Sequence, residues 1–181
     1  MKRLVYILPV LGFAVLAFFM FRSLIMPAPN VLPSALIDKP APKIALTPMD
    51  QATPAFSRAD LANGHVTLVN YFASWCVPCR QEHAMLMTLS KMPGIMLYGV
   101  DYEERQPGAG RAFLNELGNP FSRIVVDGDG GDGREWGVYG VPETYVVDAK
   151  GIVRFKYVGP LTSEAVTGEL LPAIEKAKLA S

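Results

Sequence analysis

The sequence predicts an α/β fold: a mixed central sheet flanked by helices, with an N-terminal transmembrane helix. Three observations carry this expectation. Short apolar runs rich in β-branched and aromatic residues alternate with helix-forming stretches from Val66 onward. The last two such runs stand close enough to form a hairpin. Residues 4–21, LVYILPVLGFAVLAFFMF, carry no charge at all. Half of the 181 residues are hydrophobic, enough for one sizeable core without covalent staples. The formal net charge is zero, which argues against nucleic acid as a partner.

The N-terminal run follows Lys2 and Arg3 and precedes Arg22. It is longer than the roughly 7–15 apolar residues of a secretory signal, and RSLIMPAPN offers no small-residue cleavage site. Extended through Ser23–Met26 it reaches the roughly 20 residues of a single span. Pro9 and Gly12 are tolerated in such a helix. The alternative is a cleaved signal peptide. The charge bias keeps the N-terminus in the cytoplasm and puts the rest of the chain outside, in an oxidising compartment. Prolines at 27, 29, 33, 40, 42 and 48, with Pro54 beyond, read as an extended linker. The expected organisation is an anchor over 1–26, a Pro-rich linker and lead-in over 27–48, and an α/β domain over 49–181.

Within the domain, VTLVNYF (Val66–Phe72) is too short for a helix and suits a buried central strand. Helix formers run from Val77 to about Lys91, with Met85, Leu86 and Leu89 on one face. IMLYGVDY from Ile95 is a second buried strand. Ala109–Leu117 is a short amphipathic helix stopped by Gly118. SRIVVD is a third strand, and the DGDGGDG that ends it is read as a flexible turn between that strand and a short helix, because it lacks the terminal glutamate of a calcium loop. Glu143–Asp148 and Ile152–Val158 form a hairpin turned at Gly151. Thr162 or Ser163 caps a last helix to about Ala177. Helices between successive strands imply parallel pairing, and the hairpin adds antiparallel strands.

The only two cysteines, Cys76 and Cys79, lie together where the first strand gives way to the first helix of the domain. A loop this small gains little from cross-linking, so the pair is chemical rather than structural. At a helix N-terminus, unpaired N–H groups and the dipole favour thiolate, making Cys76 the attacking sulfur and Cys79 the shielded, resolving one. Pro78 is compatible with the first helical turn, and Trp75 covers one side of an exposed Cys76 sulfur. A metal site built on Cys76, Cys79 and His83, or an inert disulfide, are the competing readings; His65 is the only other histidine. Val141-Pro142 stands before a strand, where a cis bond would leave the Val141 backbone free to pair with an extended substrate. Glu82, three residues after Cys79, and Glu143, after Pro142, are expected to approach the thiols, raising their pKa or relaying a proton. His83 and His65 are expected at the surface, as is Arg80. Since the cysteine pair is itself the redox group, no cofactor and no metal are called for.

WCVPC followed by a β-α-β-β-α half containing GVPET resembles the thioredoxin fold. More narrowly, the chain resembles the membrane-anchored thiol–disulfide interchange proteins of cytochrome c maturation, the CcmG/DsbE family. The resemblance rests on the N-terminal run, LPSALIDKPAPKI, ASWCVPCRQEH, LYGVDYEERQ, FLNELGNPF, DGDG and WGVYGVPETYVVDAKGIVRFKYVGPL. It implies a periplasmic thioredoxin-like domain held to the inner membrane through residues 4–24. It implies Cys76 and Cys79 as the redox-active disulfide, with Trp75, Val141, Pro142, Glu82 and Glu143 binding substrate or tuning the thiols. The implied role is to reduce the haem-binding cysteines of apocytochrome c, or a maturation partner's disulfide, with re-reduction by a transmembrane electron donor. A general periplasmic reductase is the nearest alternative. The family's insertion begins with a GV-x-Y element, matched by Gly99–Tyr102, but Asp101 stands where many members carry a neutral residue.

Overall fold

The computed structural model describes residues 2–25 and 34–180, with side chains of the first helix described at 9 and 11–22. Met1 and Met26 of the expected anchor, and Pro27, Pro29 and Pro33 of the expected linker, lie outside the described residues. Helix α1 runs over Lys2–Ile25 with Pro9 inside it. Its apolar side chains, among them Leu11, Phe13, Phe18, Phe19 and Phe21, are exposed. Among the described residues no helix is long and apolar enough to cross a membrane; the described side chains of α1 cover less than the roughly 20 residues of a span.

The domain is built on one six-stranded sheet of order β1-β4-β3-β2-β5-β6. Its strands are β1 (Thr47–Pro48), β2 (Val66–Phe72), β3 (Ile95–Tyr102), β4 (Arg123–Asp127), β5 (Glu143–Val147) and β6 (Val153–Val158). β2, β3 and β4 pair in parallel; β1, β5 and β6 are antiparallel to their neighbours. All seven residues of β2 are buried, as a continuous apolar run predicts for a central strand. The helices are α2 (Arg58–Leu61), α3 (Val77–Leu89), α4 (Ala109–Leu117), α5 (Gly131–Trp136), α6 (Ser163–Ala165) and α7 (Leu171–Leu179). A single π-helical turn, Val166–Leu170, joins the last two into one continuous element.

Each face of the sheet has its own apolar layer. On one, Leu68 and Phe72 of β2 pack with Leu86 and Leu89 of α3, Phe113 and Leu114 of α4, and Leu170 and Ile174 of the C-terminal helix. Phe72 stacks on Phe121, with ring centroids 5.0 Å apart. On the other, Val69 and Tyr71 pack with Trp136, Tyr145, Leu61, Phe56, Ala41 and Ile44. Successive strand side chains point to opposite faces, so the phase of β2 decides which helix each residue meets.

Four local features depart from the sequence reading. The expected linker is not free of the domain: Ala41 is fully buried, and Lys39 O and Gly151 O accept from Val153 N and Ala41 N, so the folded domain begins well before residue 49. Thr47–Pro48 forms an edge strand too short to show periodicity; proline is tolerated there because an edge needs no inward N–H. α2 is four residues capped by Ser57, whose N–H is taken by Asp60 Oδ2 at 2.8 Å. The short helix expected after the glycine-rich turn, α5, begins inside that turn at Gly131, because Trp136 anchors it in the core and Asp127 Oδ2 accepts from Gly133 N at 2.7 Å.

Gly99 sits mid-strand, where glycine is normally unfavourable. A Cβ there would lie 2.8 Å from the Phe121 ring, so the missing side chain makes room for the Phe72–Phe121 stack. Gly99→Ala should lower stability by about 1–3 kcal/mol through overpacking. An unchanged urea midpoint would mean that the ring moves aside freely.

Candidate active site

The central strand β2 ends in a turn, Ala73–Ser74–Trp75, that delivers Cys76 to the N-cap of α3. Cys76 and Cys79 are joined as a disulfide. The Cys79 N–H donates to Cys76 Sγ at 3.1 Å, placing Cys76 where the helix start stabilises negative charge. The sequence reading placed the Cys76 sulfur in the open. Instead Cys76 is 3% exposed and Cys79 1%. The loop before β5 closes over the pair, with Val141 O 3.4 Å from Cys76 Sγ. The two sulfurs therefore differ in hydrogen bonding more than in exposure.

Around the pair lies an apolar rim. Trp75 is 38% exposed, donates Nε1 to Glu103 O at 3.0 Å, and carries the Arg105 guanidinium 5.1 Å above its ring. Val77 and Tyr139 are exposed. The Val141–Pro142 bond is cis.

Glu82 is no surface glutamate. It falls on the inner face of α3 with Cys79, Leu86 and Leu89, the spacing of a helix stripe turned to the core. Its Oε1 accepts from Asn70 Nδ2 at 3.0 Å and its Oε2 from Leu161 N at 2.9 Å. Asn70 also donates to Thr144 Oγ1 at 3.0 Å. Burial pushes the Glu82 carboxyl up to about 7, against the opposing pull of these two donors. Asn70 was missed in the sequence. The available signal was a polar residue at an inward position of the apolar run VTLVNYF.

His83, expected at the surface, is buried at 4% exposure. Its Nε2 donates to Gly118 O at 2.9 Å and its ring meets Phe113 edge to face. Burial holds its pKa below the usual value. His65 is exposed and precedes β2, a strand's length of roughly 23 Å from the cysteines. The two histidines are thus not gathered with the sulfurs into a ligand set. Arg80 keeps its exposed position and pairs with Glu116 at 2.8 Å.

Glu143 is turned away from the thiol side. It pairs with Tyr71 across β2 and β5, and so faces the layer of Tyr71 and Tyr145, whereas Asn70 and Thr144 face Glu82. Its carboxylate meets Lys156 Nζ at 3.0 Å, Tyr145 Oη at 3.0 Å and Tyr139 N at 3.0 Å. Lys156, only 2% exposed, donates also to Gly137 O at 2.7 Å. The expected approach of Glu143 to the thiols is therefore replaced by a different geometry: a buried ion pair bracing the segment 137–142 from behind.

A second brace holds the other side. Glu104 Oε1 accepts from Ser74 N at 2.5 Å and its Oε2 from Ser74 Oγ at 2.7 Å. These contacts fix the residue two before Cys76. In the glycine-rich segment the carboxylates serve the backbone: Asp129 Oδ1 accepts from Gly131 N at 3.0 Å, as Asp127 does from Gly133.

The Redoxin family matches residues 37–171 of this chain. The thiol:disulfide interchange protein DsbE of Allochromatium vinosum is 39% identical over 170 residues, covering 94% of this chain and 92% of the relative. HelX of Rhodobacter capsulatus, also a thiol:disulfide interchange protein, is 42% identical over 146 residues, 81% of each chain. DsbE of Escherichia coli K12 is 38% identical over 180 residues, covering 97% of this chain and 96% of the relative. Among solved structures, a DsbE-type thiol:disulfide interchange protein from Chlorobium tepidum superposes with a TM-score of 0.61 at 26% identity, over 79% of this chain and 99% of its own.

Glu82 holds its proton more tightly in the folded chain than in the unfolded one, where it titrates near 4.5. Its contribution to stability is complete below about pH 4.5 and is lost as pH rises through about 7. Glu82→Gln should flatten that fall, which amounts to about 3 kcal/mol at most. Urea midpoints taken across this window measure it. An equally steep fall in the variant would mean that another group titrates there.

Proposed function

The chain belongs to the redoxin family and is a thiol–disulfide oxidoreductase; from that premise we propose that it reduces the haem-binding cysteine pair of apocytochrome c, or a maturation partner's disulfide. The observation that carries the chemistry is a single cysteine pair at a helix start, with Cys79 N–H directed at Cys76 Sγ. The apocytochrome assignment is supported by motifs beyond the cysteines, LYGVDYEERQ, FLNELGNPF and WGVYGVPETYVV. It is further supported by the thiol:disulfide interchange relatives, which match over most of the chain.

In the reduced protein Cys76 attacks as thiolate, stabilised by the Cys79 N–H and the helix dipole. Its sulfur bonds to one substrate sulfur while the substrate's other sulfur leaves as thiolate and takes up a proton. Cys79 then loses its proton and attacks Cys76, releasing the second substrate thiol. Two electrons have passed to the substrate and the Cys76–Cys79 disulfide remains. Glu82, buried one turn beyond Cys79 with a carboxyl poised near neutrality, accepts the Cys79 proton. Exposed Trp75 and Val77, with half-buried Val141 ahead of the buried cis Pro142, form the apolar surface on which a polypeptide lies while the sulfurs exchange.

Residues 4–24 act as a single inner-membrane anchor, with the N-terminus cytoplasmic and the domain periplasmic. This reading is supported by the uncharged run Leu4–Phe21 inside one 24-residue helix. An oxidising periplasm tends to close thiol pairs, so the enzyme must be re-reduced there by a donor that moves electrons across the bilayer.

Cys79→Ser should leave attack intact and strand the substrate on Cys76 as a mixed disulfide, while Cys76→Ser should trap little. Trapped species are read on non-reducing gels and by mass spectrometry. Apocytochrome or a maturation thiol protein on the Cys79 variant supports the assignment; many unrelated periplasmic proteins would make the chain a general reductase. Equal trapping by both variants would overturn the division of roles. For the anchor, the mature chain should retain residues 4–24; a mature N-terminus beyond residue 26 would overturn it.

A further inference from the structure

Asp101 occupies an unusual position for a carboxyl group. It lies in β3, is 5% exposed, and faces Gly110 at the start of α4. A Cβ at Gly110 would collide with both Asp101 oxygens, so this glycine leaves space for the carboxyl alone. No N–H or O–H group among the described residues donates to Asp101 Oδ1. Glu104, another carboxyl, lines the same cavity as Asp101, and its charge acts on the Asp101 carboxyl. Two carboxylates cannot hydrogen-bond each other unless one of them carries a proton. Glu104 already uses one oxygen for Ser74 N and the other for Ser74 Oγ, and so acts as an acceptor toward Ser74.

We propose that Asp101 is a positioning residue for the redox turn: it donates a proton-bearing oxygen to Glu104, and the pair, sharing that one proton, clamps Ser74 and thereby orients Trp75 and Cys76. Burial, followed by the charge of Glu104, pushes the Asp101 carboxyl up to about 8, in keeping with a pair that holds its proton at neutrality. The proton belongs to the pair rather than to either residue. The charged groups around it are few. Arg111 borders the same cavity of about 520 Å³ and is engaged with Asp50 at 3.5 Å. On β4, Asp101 is opposite Val126, and the neighbouring Asp127 is opposite Tyr102 on the other face. The helix side contributes Gly110, which carries no charge. When the proton leaves, two negative charges face each other behind Ser74 and the clamp loosens.

The test uses the full chain in detergent micelles. In the oxidised state neither cysteine titrates, and repeating the titration in Glu82→Gln sets aside the other carboxyl pushed up near neutrality, so the Ser74 amide resonance followed against pH reports the clamp. The wild type should show a step with a midpoint near pH 8, accompanied by a shift of the Trp75 indole resonance. Asp101→Asn keeps a donor toward Glu104 but has no proton to lose, and should abolish the step. Asp101→Ala removes the donor and should slow disulfide exchange about five-fold, the effect of one lost hydrogen bond; asparagine should restore most of that rate. A wild type without the step, an Asp101→Asn protein that keeps it, or asparagine and alanine variants equally slow would each overturn the proposal. The wild-type titration stands even if a variant does not fold.

Discussion

Three chain segments converge on one buried carboxyl. Glu82 of α3 receives Asn70 of the central strand and the Leu161 N–H that leads into the C-terminal helix, while Asn70 reaches on to Thr144 of β5. A carboxyl in this place is costly, and the cost is reduced only while all its donors are present. The geometry of the sulfur pair follows from this junction. α3 is held against β2 at one turn's distance from Cys79, so the helix start cannot drift from the strand end that supplies Ser74 and Trp75. The same group that locks the helix in place has a proton affinity near neutrality, the property that the proposed proton transfer from Cys79 requires. Structural and chemical demands thus meet in one side chain.

The loops framing the sulfurs are braced by two further acidic groups. Glu104 grips the turn before Cys76, and Glu143 with Lys156 grips the segment before Pro142 from the opposite layer of the core. In each case the acidic oxygens are spent on backbone N–H groups, on hydroxyls or on a cation. This differs from carboxylates scattered near a thiol and acting through charge alone. A buried ion pair such as Glu143–Lys156 adds little net stability compared with an apolar substitute, but it is intolerant of losing one partner. Its service here is to fix the position of Tyr139 N and Gly137 O, and through them the loop whose Val141 O touches Cys76 Sγ.

The main architecture was legible in the sequence because its signals are periodic and local. The continuous apolar run 66–72 marked a central strand, the Cys-x-x-Cys after it marked a helix start, and Gly151 marked the hairpin. What escaped depended on contacts between distant residues. The start of α5 inside the glycine-rich turn shows only once Trp136 is seen to anchor it in the core. Glu82 and Glu143 have similar sequence contexts, each near a motif, yet the phase of their elements sends one toward Asn70 and the other toward Lys156. The burial of His83 likewise follows from helix phase: it lies four residues after Cys79, on the same inner stripe. Asp101 could be noticed in the sequence, but only the nearness of Glu104 and Gly110 gives it meaning.

The lead-in segment has a consequence for how the sheet meets other chains. Lys39 and Ala41 hydrogen-bond along the start of β6 and its turn, and Thr47–Pro48 pairs with β4, so one short stretch of chain reaches both outer borders of the sheet. An open border of unpaired N–H and C=O groups is a template for adding any extended polypeptide, wanted or not. Here one border ends in a two-residue strand containing proline, and part of the other is already occupied by the protein's own backbone. If the substrate is the extended, cysteine-bearing polypeptide proposed above, the sheet margins are thereby kept from competing with the sulfurs for it.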